Sequence, residues 1–297
     1  MTIQQLHYLL EVYHAGSISQ AARNLYVAQS SISNSISYLE KELGFLIFNR
    51  SRAGVVPTAQ GKVVLEQASR ICESYRRMSD TQQSVSRNIR ISSSPYLPIR
   101  NAFIRLSLEN QDREDVTLSY LSYPLPVAIE KLSFFELELA VLLSLSGAPN
   151  VLEDELRAKG LRWNDRMGIP AVLRIGPNHP LYHEPEVRLQ DFQKYTLVDS
   201  TNGVVYHNEY LRALLCLDPR RVMFVEGQEA RHELVSKGTA YSVGCKLPAC
   251  VDRQYGFRSI PLGNLEYRLI TVSNPIRAAE PEIQRFLTLL EEEVSQV

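Results

Sequence analysis

The residues of this chain whose types and spacing best suit chemistry are Gln29, Ser30, Ser33, Asn34 and Ser37. All are uncharged, most are short, and together they offer many hydrogen-bond donors and acceptors along one stripe of a single helix. Such a stripe suits a helix pressed into the major groove of duplex DNA, where each base pair presents its own pattern of donors and acceptors. An ordinary solvated helix face would carry long charged side chains instead, because serine is a poor helix former.

The elements that must position this stripe are legible on either side of it. On the opposite face of the same helix Ile32, Ile36, Leu39 and Leu43 recur in steps of four, three and four, which predicts a core-facing seam. Ahead of it, Ser17 and Gln20 have the spacing of a capping box, and Ala21, Ala22 and Leu25 form the inner face of a shorter helix. The connection Tyr26-Val27-Ala28 is too short for anything but a sharp turn. The expectation is a helix-turn-helix over about 18–37.

The stretch SISQAARNLYVAQSSISNSISYLEKELGFLIFNR resembles the N-terminal signature of the LysR-type transcriptional regulators nearly residue for residue, including the LEKELG element. That resemblance implies a winged helix-turn-helix over residues 1–58, with Gln29, Ser30, Ser33 and Asn34 on the recognition helix. It further implies that Arg50, Arg52 and Thr58 flank a two-stranded wing, SRAGVVPT, that reaches the phosphates or the minor groove. The pattern has local departures. Ala28 stands where a small hydroxyl residue is usual, Ser30 where proline is common, and Asn34 where arginine is frequent.

Composition bounds the remainder. At 297 residues the chain is long enough for two or three domains, and 44% hydrophobic with 22% charged residues is ordinary for a globular protein with a sizeable core. A net charge of −1 conceals an asymmetry: residues 1–87 hold nine Lys/Arg against six Asp/Glu, and the rest 23 against 27. Cys72, Cys216, Cys245 and Cys250 lack metal or disulfide-scaffold spacing, so reduced thiols are expected, with a Cys245–Cys250 redox pair as the minor alternative. His179 and His183 lie four apart, but Pro180 follows the first, so no helical metal pair is implied. No nucleophile elbow or phosphate loop occurs, and the chain is expected not to be an enzyme. No apolar run reaches the length of a membrane span, and a cytoplasmic protein without membrane contact is expected.

Between residues 59 and 87, Val64, Ala68, Ile71, Tyr75, Met78, Gln82 and Val85 follow heptad spacing. With the linker helix that the family carries at this place, the reading is a dimerisation helix using Val64, Ala68, Ile71, Tyr75 and Met78. From residue 88 short apolar runs alternate with helical patterns, which predicts parallel sheets with crossover helices. This region resembles the family's two-lobed α/β regulatory domain, similar to periplasmic binding proteins. Lobe I is expected at 88–161 and 267–297 and lobe II at 162–266. A small unidentified effector is expected between the lobes, near Ser93, Ser94, Tyr123, Thr201 and Asn202, and no other cofactor is implied. The resemblance implies promoter or operator DNA as partner, a homodimer that pairs into a dimer of dimers, and RNA polymerase as a further partner. The competing reading is a small-molecule binding protein or enzyme whose N-terminal helices serve assembly.

Overall fold

Thr2 and Gln5 cap each other reciprocally and start the first helix, α1 (Ile3–Ala15), which closes at Gly16 in the left-handed conformation. α2 (Ile18–Asn24) and α3 (Gln29–Leu43) follow, then a hairpin of β1 (Phe48–Ser51) and β2 (Gly54–Pro57), then α4 (Ala59–Ser79). The computed structural model describes residues 1–51, 54–79, 87–146, 152–199 and 222–297. Two units emerge, one formed by Met1–Ser86 with Ser133–Glu136 and the other by Arg87–Leu132 with Leu137–Val297.

The core of the first unit is built from Leu6, Leu9 and Val12 of α1, Ala21 and Ala22 of α2, Ile32, Ile36 and Leu39 of α3, and Leu65, Ala68 and Cys72 of α4. The adjacent alanines of α2 allow the close helix approach that the sequence predicts. Gly61 is required by packing, because a Cβ there would come within 1.9 Å of the Ile47 carbonyl oxygen. Two expectations change. Ser17 does accept from the Gln20 N–H at 3.4 Å, but the Gln20 amide turns to Asn24 and Arg23, so the box is only half formed. Leu43, expected in the core seam, is 37% exposed.

The α4 seam is also revised. Ala68 is 1% exposed and Val64 packs against the same core, so these two positions hold α4 to its own unit. Ile71, Tyr75 and Met78 are exposed. A helix of 21 residues that packs on its own domain must spend one stripe there, and the heptad spacing straddles that stripe and its neighbour.

The described residues of the second unit contain one eight-stranded sheet. Its strands are β3 (Arg87–Ser93), β4 (Val116–Leu121), β5 (Leu139–Leu145), β6 (Arg162–Ile175), β7 (Leu197–Asp199), β8 (Val222–Phe224), β9 (Tyr241–Cys245) and β10 (Arg258–Ser273), in the order β4-β3-β5-β10-β6-β9-β7-β8. Among the described residues its α-helices are α5 (Leu97–Glu109), α6 (Leu125–Ser133), α7 (Leu152–Ala158), α8 (Gln228–Lys237), α9 (Ala249–Tyr255) and α10 (Pro281–Ser295). Alternation along β5 sends Leu139 and Val141 to a core shared with α5 and α10, and Ala140 to one shared with α6 and α7.

The sheet is mixed rather than parallel. β10 runs antiparallel to β5 and β6, and β6 antiparallel to β9, while β3–β4, β3–β5 and β7–β8 are parallel. β6 and β10 each serve both lobes. Of β10, only Tyr267–Ser273 pairs with β5, and of β6, only Ala171–Ile175 pairs with β9, so the outward crossing lies inside β6 between residues 169 and 171, beyond the expected position at 162. Pro170 and Pro261, with Gly263 at φ +62, break up the apolar runs that would mark one long strand in sequence. The helix expected at about 207–216 lies outside the described residues, as do Thr201, Asn202 and Cys216.

Candidate nucleic-acid interface and effector cleft

Ala28 is the N-cap of α3 and makes no side-chain cap hydrogen bond to the first amides of the helix. Gln29, Ser30, Asn34 and Ser37 are exposed and Ser33 is half-buried, all on the stripe opposite Ile32, Ile36 and Leu39. The Ser19 hydroxyl donates to Gln29 Oε1 at 3.0 Å, which ties the start of α3 to α2. Arg50 of β1 donates to the Ser33 hydroxyl at 3.4 Å. The wing is set by Glu40, 9% exposed, whose Oε1 accepts the N–H groups of Ile47 at 2.9 Å and Phe48 at 3.2 Å.

Thr58 departs from its expected role. Its hydroxyl accepts from Gly61 N at 2.9 Å and donates to the Leu46 carbonyl at 2.8 Å, so it caps α4 instead of offering a free donor to a phosphate. Arg52 lies outside the described residues. Tyr26 is a further surface candidate, 95% exposed at φ +55 in the turn just before α3. The shortness of the turn was visible in sequence, but the left-handed tyrosine that projects from it was not.

The comparisons with known proteins agree with this geometry. Residues 3–62 match the model described as bacterial regulatory helix-turn-helix protein, lysR family. Residues 3–62 are a LysR-family helix-turn-helix domain. The HTH-type transcriptional regulator DgcR of a Pseudoalteromonas species is 27% identical over 150 residues, covering 48% of this chain and 52% of that protein. The chain spans about half the length of the first curated relatives it matches. ArgP of Mycobacterium tuberculosis superposes with a TM-score of 0.71 at 16% identity, over 99% of this chain and 97% of that one. LysG of Corynebacterium glutamicum, a full-length LysR-type regulator with bound effector Arg, superposes with a TM-score of 0.67 at 15% identity, over 100% and 99%. The LysR-family domain is thus followed by an α/β unit with the fold of the two-lobed effector-binding region.

In that α/β unit Ser93, Ser94 and Tyr123 gather where β3 and β4 end, but the hydroxyls are engaged. Ser93 donates to the Tyr120 hydroxyl at 2.6 Å, and Ser94 Oγ accepts from Leu143 N at 3.3 Å. The N–H of Tyr123 donates to Ser92 Oγ at 3.1 Å, and Lys131 Nζ lies 5.3 Å from the center of its ring. Among the described residues no cluster of three His, Cys, Asp or Glu could hold a metal ion. His179 Nδ1 accepts from Leu181 N, and burial pulls this imidazole down to about 4. Cys245 is buried and its thiol is pushed up to about 12 by burial, whereas Cys250 is exposed.

Sequence reasoning missed a pair of arginines. Arg174 of β6 is 2% exposed, and burial, with the charge of Arg231 acting the same way, brings its guanidinium down to about 10. Arg231 of α8 is also lowered by burial. An arginine inside the apolar run IPAVLRIG was the available signal.

Proposed function

We propose that this protein is a sequence-specific DNA-binding transcriptional regulator whose activity is set by a small molecule held between the lobes of its α/β unit. The observation that carries the reading is the exposed stripe Gln29–Ser37, flanked by Arg50, on a LysR-family domain. The stripe supplies groups for base edges and Arg50 a cation for phosphate, the division of labour that separates sequence choice from positioning. The relatives are HTH-type transcriptional regulators, and among the fold neighbours LysG carries a bound effector. No helix among the described residues is long and apolar enough to cross a membrane.

The protein acts on double-stranded operator DNA, in the cytoplasm, as a homodimer joined through the exposed Ile71, Tyr75 and Met78 edge of α4. Two copies then present two recognition helices to two half-sites, which offsets the modest charge of a single one. A dimer of dimers and contact with RNA polymerase complete this reading, and no catalysis is assigned. The test is DNA binding by anisotropy on a panel of half-site variants. Gln29→Ala should reorder the preference among variants; an unchanged ranking would remove α3 from base reading.

A further inference from the structure

Arg174 crosses the β9 surface with its guanidinium over Gly244, where an added Cβ would stand 3.2 Å from Nη1, and Nη2 donates to the Cys245 carbonyl. Its Nε is buried with no hydrogen-bond partner, and so is that of Arg231. Neither arginine forms an ion pair among the described residues. Asp252 lies within electrostatic range of Arg174, and Asp199 of Arg231, with Tyr267 and Cys245 near both. At neutral pH both guanidiniums are charged, and a buried charge without a close counter-ion is costly. A buried polar group left unsatisfied calls for an explanation, and a ligand that completes it supplies one.

The place is suited to a ligand. Cys245 ends β9 and Lys246 follows it where the lobes meet, and Tyr96, the N-cap of α5, donates to the Lys246 carbonyl at 3.0 Å. Arg231 is the fourth residue of α8, in its first turn, and the N-cap Gly227 makes no side-chain cap bond. We propose that Arg174 and Arg231 bind the carboxylate of a small organic acid. This rests on the effector reading above and gives its chemical class. Arginine edges match carboxylate geometry. Asp199 and Asp252 already place negative charge at longer range, which favours a monoanion over a phosphate dianion.

The experiment uses the full chain in a thermal-shift titration with acetate, benzoate, benzamide and inorganic phosphate, at ionic strength held constant with chloride. Acetate and benzoate should raise the melting temperature saturably over chloride, benzamide should not, and phosphate should do less than benzoate. In Arg174→Met and Arg231→Met the carboxylate response should weaken at least tenfold, while the ligand-free melting temperature holds or rises because an unpaired buried charge has gone. Arg231→Lys, which keeps the charge, should retain part of the response. Carboxylates indistinguishable from chloride, equal response in the methionine variants, a phosphate effect exceeding benzoate, or ligand-free variants that melt much lower would each overturn the proposal. DNA binding measured on the same samples separates the two readings: its absence sinks the regulator while leaving the anion site standing.

Discussion

Arg50 and Ser33 meet across the gap between wing and recognition helix, Nη1 to Oγ at 3.4 Å, while Nη2 of the same arginine stands 3.5 Å from Glu40 Oε2. One cation is thereby held against the stripe proposed to read bases by a side chain of that stripe. Arg50→Ala should weaken binding to all sequences alike and reduce the slope of log affinity against log salt by about one. Ser33→Ala should change preference among sites with little change of slope. The check is a salt series by anisotropy on specific and scrambled duplexes, and a sequence-selective effect of Arg50→Ala would contradict the assignment.

Glu40 acts one step further back. Replacing it by alanine strands the Ile47 and Phe48 N–H groups, both in buried residues, at about 1–3 kcal/mol for each unsatisfied group. Chemical denaturation should show that loss, and DNA affinity should fall with it although Glu40 is not on the reading stripe. A variant as stable as wild type would show that the wing is held by other contacts.

The two edges of α4 should respond differently to charge. Ala68→Asp places a carboxylate in the core of the N-terminal unit and should unfold that unit. Ile71→Asp, at a position 40% exposed in the single chain, should leave folding intact, yield monomers in sedimentation and abolish operator binding. If Ile71→Asp sediments as wild type does, the dimer is held elsewhere.

Glu138 is fully buried and accepts from the Arg90 backbone N–H at 2.7 Å, from its Nε at 3.1 Å and from its Nη2 at 2.9 Å. Removing this carboxylate strands the Arg90 N–H and leaves a guanidinium that is 32% exposed, at a cost toward the lower end of the range of about 3–5 kcal/mol typical of a fully buried pair. Glu138→Ala should therefore shift the urea midpoint of the α/β unit strongly, and a shift under a tenth of that size would mean solvent replaces the carboxylate.

Two buried imidazoles give the stability a pH dependence of definite sign. Burial lowers His179 to about 4, and burial with the charges of Arg174 and Arg231 lowers His232 to about 3. Below the ordinary value near 6.5 the unfolded chain binds protons that the folded chain refuses, so stability falls with pH from about 6.5 to 4, by up to about 1.4 kcal/mol per unit per histidine. His232 packs edge-on against Tyr255 and Phe257. His232→Phe should flatten the decline between pH 6.5 and 4.5 in urea titrations; an identical decline would place the proton uptake at other groups.

Most of this architecture was written in local pattern. The steps of Ile32, Ile36 and Leu39, the paired alanines and the run from Val116 to Leu121 each fix an element through periodicity that tertiary packing then obeys. What escaped was decided by partners distant in sequence. Thr58 looks like a phosphate donor until Leu46 and Gly61 claim its hydroxyl, and Ala68 looks like an interface residue until α1 closes over it. The antiparallel course of β6 and β10 depends on pairing across about 100 residues, which no window along the chain reveals. Arg174 of β6 and Arg231 of α8 come within electrostatic range of each other only in the folded unit.

Selection of genomic fragments by the purified full chain tests the central claim most directly. Sequence-specific binding predicts enrichment of a pseudo-palindromic site whose affinity falls linearly on logarithmic axes as salt rises, because bound counter-ions are released from the phosphates. Recovery of no enriched sequence, with retention on DNA independent of salt, would contradict it.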